Sequence, residues 1–120
     1  MVGLLISSHN VEVMRFSSSQ SPIFAITGSS RDYFLEPVSQ TNFGLCFDPT
    51  IVSLYMQGGT VPAFNGQVTY YTSSSGSGGS QINWNPMGLP DGLAPGNYYF
   101  IVQQPSCRTG VTLALFRTSQ

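Results

Sequence analysis

The clearest pattern of apolar and polar positions runs from Pro95 to Phe116. Tyr98, Tyr99, Phe100, Ile101 and Val102 form an unbroken block of aromatic and β-branched residues, which predicts a strand buried on both faces. Gln103 to Gly110 turns the chain. Val111, Leu113 and Leu115 then alternate with Thr112, Ala114 and Phe116, the period of two that a second strand requires. Two such neighbours in sequence predict an antiparallel hairpin at the centre of an all-β domain.

The rest of the chain repeats this pattern in shorter pieces. Val2 to Ile6 predicts a first strand, ended by Ser7-Ser8-His9-Asn10, and Val11 to Phe16 a second that makes a hairpin with it. Ile23 to Ile26 predicts a short buried strand. Tyr33 to Leu35 predicts another, stopped by Pro37 and therefore short or at an edge. Phe43 to Phe47 and Ile51 to Met56 follow, separated by Asp48-Pro49, and Gln57-Gly58-Gly59 breaks the chain. Asn65-Gly66 is the strongest short hairpin signal and leads into a strand over Gln67 to Thr72. Ser73 to Ser80, with the sequence SSSGSGGS, reads as a flexible loop, either a mobile hairpin tip or a segment ordered by a partner. Gln81 to Asn85 predicts one more short strand, and Pro86 to Pro95 a turn-rich loop. No helical periodicity free of Gly and Pro appears. Eight to ten short strands at spacings of about ten residues predict a single domain over residues 1–120, an antiparallel β-sandwich of jelly-roll type with essentially no helix. A barrel is the alternative.

Charge sharpens the picture. Only 8% of residues are charged, where about 25% is typical. There is no lysine, and Arg15, Arg31, Arg108 and Arg117 face Glu12, Asp32, Glu36, Asp48 and Asp91, for a net charge of -1. No field exists to steer a nucleic acid or an anionic membrane, so neither is an expected partner. A chain so close to neutrality lacks the self-repulsion that keeps free domains apart, and lysine, the usual guard of exposed strand edges, is missing. The expectation is a homo-oligomer, a trimer, whose edges are short, kinked by proline or covered by another chain. The opposing reading is a monomer solubilised by Ser, Thr, Asn, Gln and Gly. The opening Met1 to Ile6 has no positive start and too short an apolar run for a signal peptide or a membrane span, so no export signal is expected.

Candidate chemistry is sparse. Cys46 and Cys107 could close a loop of about sixty residues, for about 4 kcal/mol on the chain-entropy view, or remain two buried thiols. The missing export signal favours thiols. His9 is the only histidine and no CxxC spacing occurs, so neither a metal site nor a cofactor is expected. Asp48 and Asp91 stand alone in their loops without the oxygen ligands calcium needs. His9 lies in a turn, and the five carboxylates are scattered without a pairing motif, so catalysis is not expected either. For binding, Asn83-Trp84-Asn85 sets a flat aromatic between two amides, a combination that suits sugar rings. The plainer role for Trp84 is packing across an open end of the sandwich. Adjacent tyrosines at 70/71 and 98/99 must send one member of each pair outward along a strand. Tyr71 and Tyr99 therefore join Trp84, Asn83 and Asn85 as candidate ligand or interface residues.

The segment LAPGNYYFIVQ, Leu93 to Gln103, followed by TGVTLALFR, Thr109 to Arg117, resembles the late hairpin of jelly-roll domains in phage virion proteins. More distantly it is similar to complement-type and tumour-necrosis-factor-like trimeric heads, and to the last strands of secreted accessory domains of peptidases. Joined to the low charge, the signal-free start and the Ser/Gly-rich segment, it resembles small capsid decoration or cement proteins. That resemblance implies an all-β trimer located in the virion, made in the host cytoplasm, bound over joints between major capsid protein subunits. Its motif is generic and assigns no site residue. The alternative is a receptor- or carbohydrate-binding module, a tail-fibre tip or lectin-like domain, using Trp84.

Overall fold

The computed structural model describes residues 10–39, 42–43, 48–75, 79–106 and 108–118, those at 42–43, 70–75, 79–84 and 108–109 by their backbone alone. The expected strand at Val2 to Ile6, most of that at Phe43 to Phe47, and His9, Cys46 and Cys107 lie outside the described residues.

The strands in chain order are β1 (Asn10–Phe16), β2 (Phe24–Ile26), β3 (Tyr33–Ser39), β4 (Asn42–Phe43), β5 (Thr50–Met56), β6 (Phe64–Ser75), β7 (Gly79–Asn85), β8 (Met87–Gly88), β9 (Gly96–Gln103), β10 (Arg108–Thr109) and β11 (Thr112–Thr118). A 3-10 turn, Ser30–Asp32, precedes β3. A four-stranded sheet has the order β1-β11-β3-β8, a five-stranded sheet the order β2-β9-β5-β6-β7, and β4 and β10 form a small ribbon. Every pairing of these strands is antiparallel. With the ribbon and β7 set aside, first pairs with last (β1·β11), second with next to last (β2·β9), and so on through β3·β8 to the hairpin β5·β6. This is one long hairpin rolled up until β11 meets β3 and β9 meets β5, the jelly-roll form of the β-sandwich.

The core lies between the two sheets. Phe16, Tyr33, Leu35, Met87, Leu113 and Leu115 from one sheet meet Phe24, Ile26, Val52, Leu54, Val68, Tyr98, Phe100 and Val102 from the other, all buried. Each such side chain removed from water contributes about 1.5–3 kcal/mol. Phe100 stacks on Phe16 at 5.9 Å and on Phe24 at 5.2 Å between ring centroids, which ties β9 to strands of both sheets.

Several elements differ from the sequence expectation. β9 and β11 form no hairpin, because the chain crosses from one sheet to the other between them, and each strand is central in its own sheet. Gln104 holds that crossover: its side-chain amide donates to Val111 O at 3.2 Å. Nor is β9 buried on both faces: Tyr98, Phe100 and Val102 are buried while Tyr99 and Ile101 are half-exposed. β2 is likewise buried on one face only, with Ala25 and Ile23 exposed. Pro37 does not end β3, which continues to Ser39. It pairs with Leu113 at a register shift, and β8 flanks β3 only at Phe34 and Leu35, so its missing N–H lies where no ladder partner waits. Met87-Gly88 is a strand inside the expected loop, too short to carry a period.

Asn65-Gly66 is not a turn. Both residues lie within β6, paired with Ser53 and Val52. Gly66 is there for space: a Cβ at this position would stand 2.6 Å from Met87 Sδ and 2.9 Å from a Phe64 ring carbon. Met87 is buried and comes from the opposite sheet, so the glycine sets how closely the two sheets approach. The expected effect of Gly66→Ala is a loss of about 1–3 kcal/mol from overpacking. Gly88→Ala, at a strand position with open space around it, changes stability by less than about 0.5 kcal/mol. Urea denaturation of the two variants tests the pair.

Candidate functional site

The outward positions of the five-stranded sheet follow from the inward ones. Since Val52, Leu54, Val68, Tyr98, Phe100 and Val102 are buried, the alternating residues of β5, β6 and β9 face out. They fall into cross-strand rows: Gln67–Ile51–Gln103, then Asn65–Ser53–Ile101, then Tyr55–Tyr99, with Ala25 of β2 beside Asn97. The Tyr55 and Tyr99 rings stack at 5.6 Å with 10° between their planes, and Ser53 Oγ donates to Asn65 Oδ1 at 2.8 Å. Ile51 is 38% exposed.

No strand of this sheet contains a charged residue. The charges of the long strands sit instead on the four-stranded sheet, as Glu12, Arg15, Glu36 and Arg117. Arg15 donates to Glu12 Oε1 at 2.6 Å beside the register shift in β1, and that hydrogen bond holds the guanidinium pKa above its ordinary value. A charged pair and a bulge are what guard an edge strand against unwanted pairing. At the other sheet's edge, β7 has neither charge nor proline over seven residues.

The candidates read from sequence are distributed over these elements. Tyr99 lies on β9 in the stacked row, and its neighbour Tyr98 is buried, as the alternation requires. Asn85 is exposed at the end of β7, and its Nδ2 donates to Thr69 Oγ1 at 3.2 Å. On the β6–β7 ribbon Tyr71 is opposite Asn83, and Trp84 opposite Tyr70. The side chains of Tyr71, Asn83 and Trp84 lie outside the described residues. Strand β5 separates Tyr99 from this ribbon. Tyr55, the stacking partner of Tyr99, was not signalled by the sequence, because only the register between β5 and β9 brings the two rings together.

A concave region, about 550 Å³, opens between the edge strands β1 and β2, lined by Val11, Val13, Ala25, Thr27, Tyr33 and Arg117 among others. Arg117 is held there by packing. Its Cζ lies 5.3 Å from the Tyr33 ring centroid and its Nη1 donates to Thr27 Oγ1 at 3.1 Å. The turn at Gly28 has φ of +72°, a backbone conformation that favours glycine, and a Cβ there would stand 2.9 Å from Arg117 Nη2, so the guanidinium would have to shift. The Tyr33 hydroxyl accepts from Thr27 N and donates to Thr27 O. Arg117 thus clasps the end of β2 to the four-stranded sheet. Among the described residues no three of His, Cys, Asp or Glu come together as a metal site would need.

No protein-family model, curated protein or solved structure matches this chain. The stacked tyrosines give the outer face its own measurable interaction: a double-mutant cycle of Tyr55→Ala and Tyr99→Ala is expected to return a coupling of about 0.5–1.5 kcal/mol in unfolding free energy.

Proposed function

We propose that this chain is a structural subunit that works assembled with copies of itself, in its particular form a decoration or cement protein of a phage capsid, rather than an enzyme. The observation that carries the reading is the division of charge between the two sheets. A free domain is expected to mix charges over its whole surface. Here the described outward residues of β5, β6 and β9 offer isoleucine, tyrosine, serine and amide groups and no charge. Tyrosine and aliphatic side chains with few charges are the composition of the covered centre of protein interfaces. The jelly roll supports the same reading, since this architecture is shared by viral capsid and lectin domains. Light scattering over a hundredfold range of concentration is expected to give a stable multiple of 12.9 kDa, and particle binding follows from it. A single chain at every concentration overturns the reading.

A receptor- or carbohydrate-binding module is the second reading, favoured by the ribbon that continues past β5. From Thr69 onward β6 pairs with β7 alone, and Tyr71, Asn83, Trp84 and Asn85 all fall on this ribbon. In that case Trp84→Ala abolishes glycan binding in a titration while the multimer mass is unchanged. In the structural reading no glycan binds either form.

A further inference from the structure

We propose that the concave region between β1 and β2 is a binding site for a small aliphatic monocarboxylate, with the Arg117 guanidinium as its anion receptor. The inference stands apart from the assembly reading and concerns a different part of the surface.

Arg117 stands where the core pattern calls for an apolar residue. On β11, Leu113 and Leu115 are buried against the opposite sheet, and Arg117 is the next residue with that orientation. Its cross-strand neighbours are Val11 of β1 and the buried Tyr33 of β3. A charge on the inner face loses part of its hydration and needs an ionic partner to offset the loss. Among the described residues no carboxylate forms an ion pair with Arg117, and Glu12, which also lines the region, is bonded to Arg15. Among those same residues the Arg117 side chain donates one hydrogen bond, to Thr27 Oγ1, where a guanidinium has five N–H groups to give. The cation is also fixed in place, with its Cζ 5.3 Å from the Tyr33 ring centroid. A planar donor held in one position matches the two oxygens of a carboxylate, and holding it in advance lowers the cost of binding.

The walls select what carries that carboxylate. Val11, Val13 and Ala25 line the same region, and all three are exposed. Sites for small molecules are concavities of roughly 300–1,000 Å³ with apolar walls and a few fixed polar groups, and this one has about 550 Å³. An extended peptide is a poorer occupant. β2 offers an edge only three residues long, and β1 has a register shift and a charged pair, so neither supports the ladder by which a strand adds to a sheet. A short alkyl chain needs no ladder and gains from each methylene it places against the valines.

The test titrates octanoate, octanol and acetate into the 120-residue chain by calorimetry. Octanoate is expected to bind at one site per chain, and octanol and acetate about tenfold more weakly or worse, since each lacks one half of the recognition. Arg117→Gln is expected to weaken octanoate by about the same factor. Because Arg117 also holds β2 in place, circular dichroism checks that this variant folds, and Val13→Asp supplies a second one. It sets a carboxylate at an exposed wall position, removes no hydrogen bond, and is expected to weaken octanoate about tenfold through like charge. Val61→Asp, at an exposed position outside the region, leaves binding unchanged. Absence of saturable octanoate binding overturns the proposal, as does binding that the folded Val13→Asp variant retains in full. Octanol bound as tightly as octanoate overturns the role of Arg117, and acetate bound as tightly overturns that of the walls.

Discussion

Phe100 is the residue on which the two sheets are joined. It is fully buried in β9, between Phe16 at the end of β1 and Phe24 at the start of β2. Those two phenylalanines flank the first crossing of the chain from the four-stranded sheet to the five-stranded one. The crossing segment is fastened to the same place. Ser21 N donates to Phe100 O at 2.9 Å, Phe100 N donates to Ser21 Oγ at 2.8 Å, and Val102 N donates to Ser19 O at 2.7 Å. A buried backbone N–H left without a partner costs about 1–3 kcal/mol, so the small buried serine is as much a part of the joint as the rings. With the first crossing held at β9 and the last held by Gln104 against Val111, both ends of the rolled hairpin are pinned to the middle of a sheet.

That joint leaves two outer faces with different characters. The four-stranded sheet has a guarded edge, where β1 carries a register shift and an ion pair between exposed side chains. Such a pair adds little to stability, and its value is in discouraging a foreign strand. The five-stranded sheet has a two-tyrosine stack and neutral polar rows in place of charges. A low overall charge spread evenly would be a matter of solubility alone. Among the strands of the two sheets the charges fall on one sheet alone, which leaves the strands of the other neutral.

The strands with an alternating pattern are legible in the amino-acid sequence alone. β5 and β11 show hydrophobic residues every second position, and β9 and β1 appear within a residue or two of where their apolar blocks stand. The period of two exists because successive side chains point to opposite faces, a property of one strand by itself. What the pattern does not contain is shown by Asn65-Gly66 and Met87-Gly88. Asn-Gly is a turn signal in isolation, yet here the glycine is required by Met87 of the other sheet, twenty-one residues away in sequence. Met87-Gly88 has no period because it is two residues long, and it is a strand only because Phe34 and Leu35 of β3 pair with it.

By itself, then, the sequence determined the class of fold, the approximate places of most strands and the scarcity of charge, since each depends on composition or on neighbours along the chain. The tertiary structure decided which strands pair, which face of each is covered, and where the uncharged surface lies. Inside and outside are written into a strand's own alternation, but its partner is not. Many antiparallel neighbours would bury Tyr98, Phe100 and Val102 equally well; in the folded chain β9 lies between β2 and β5 and β11 between β1 and β3, with the crossovers fastened at Ser21 and Gln104. Tyr55 and Tyr99 became one site by that same selection, forty-four residues apart in the chain and stacked in the sheet.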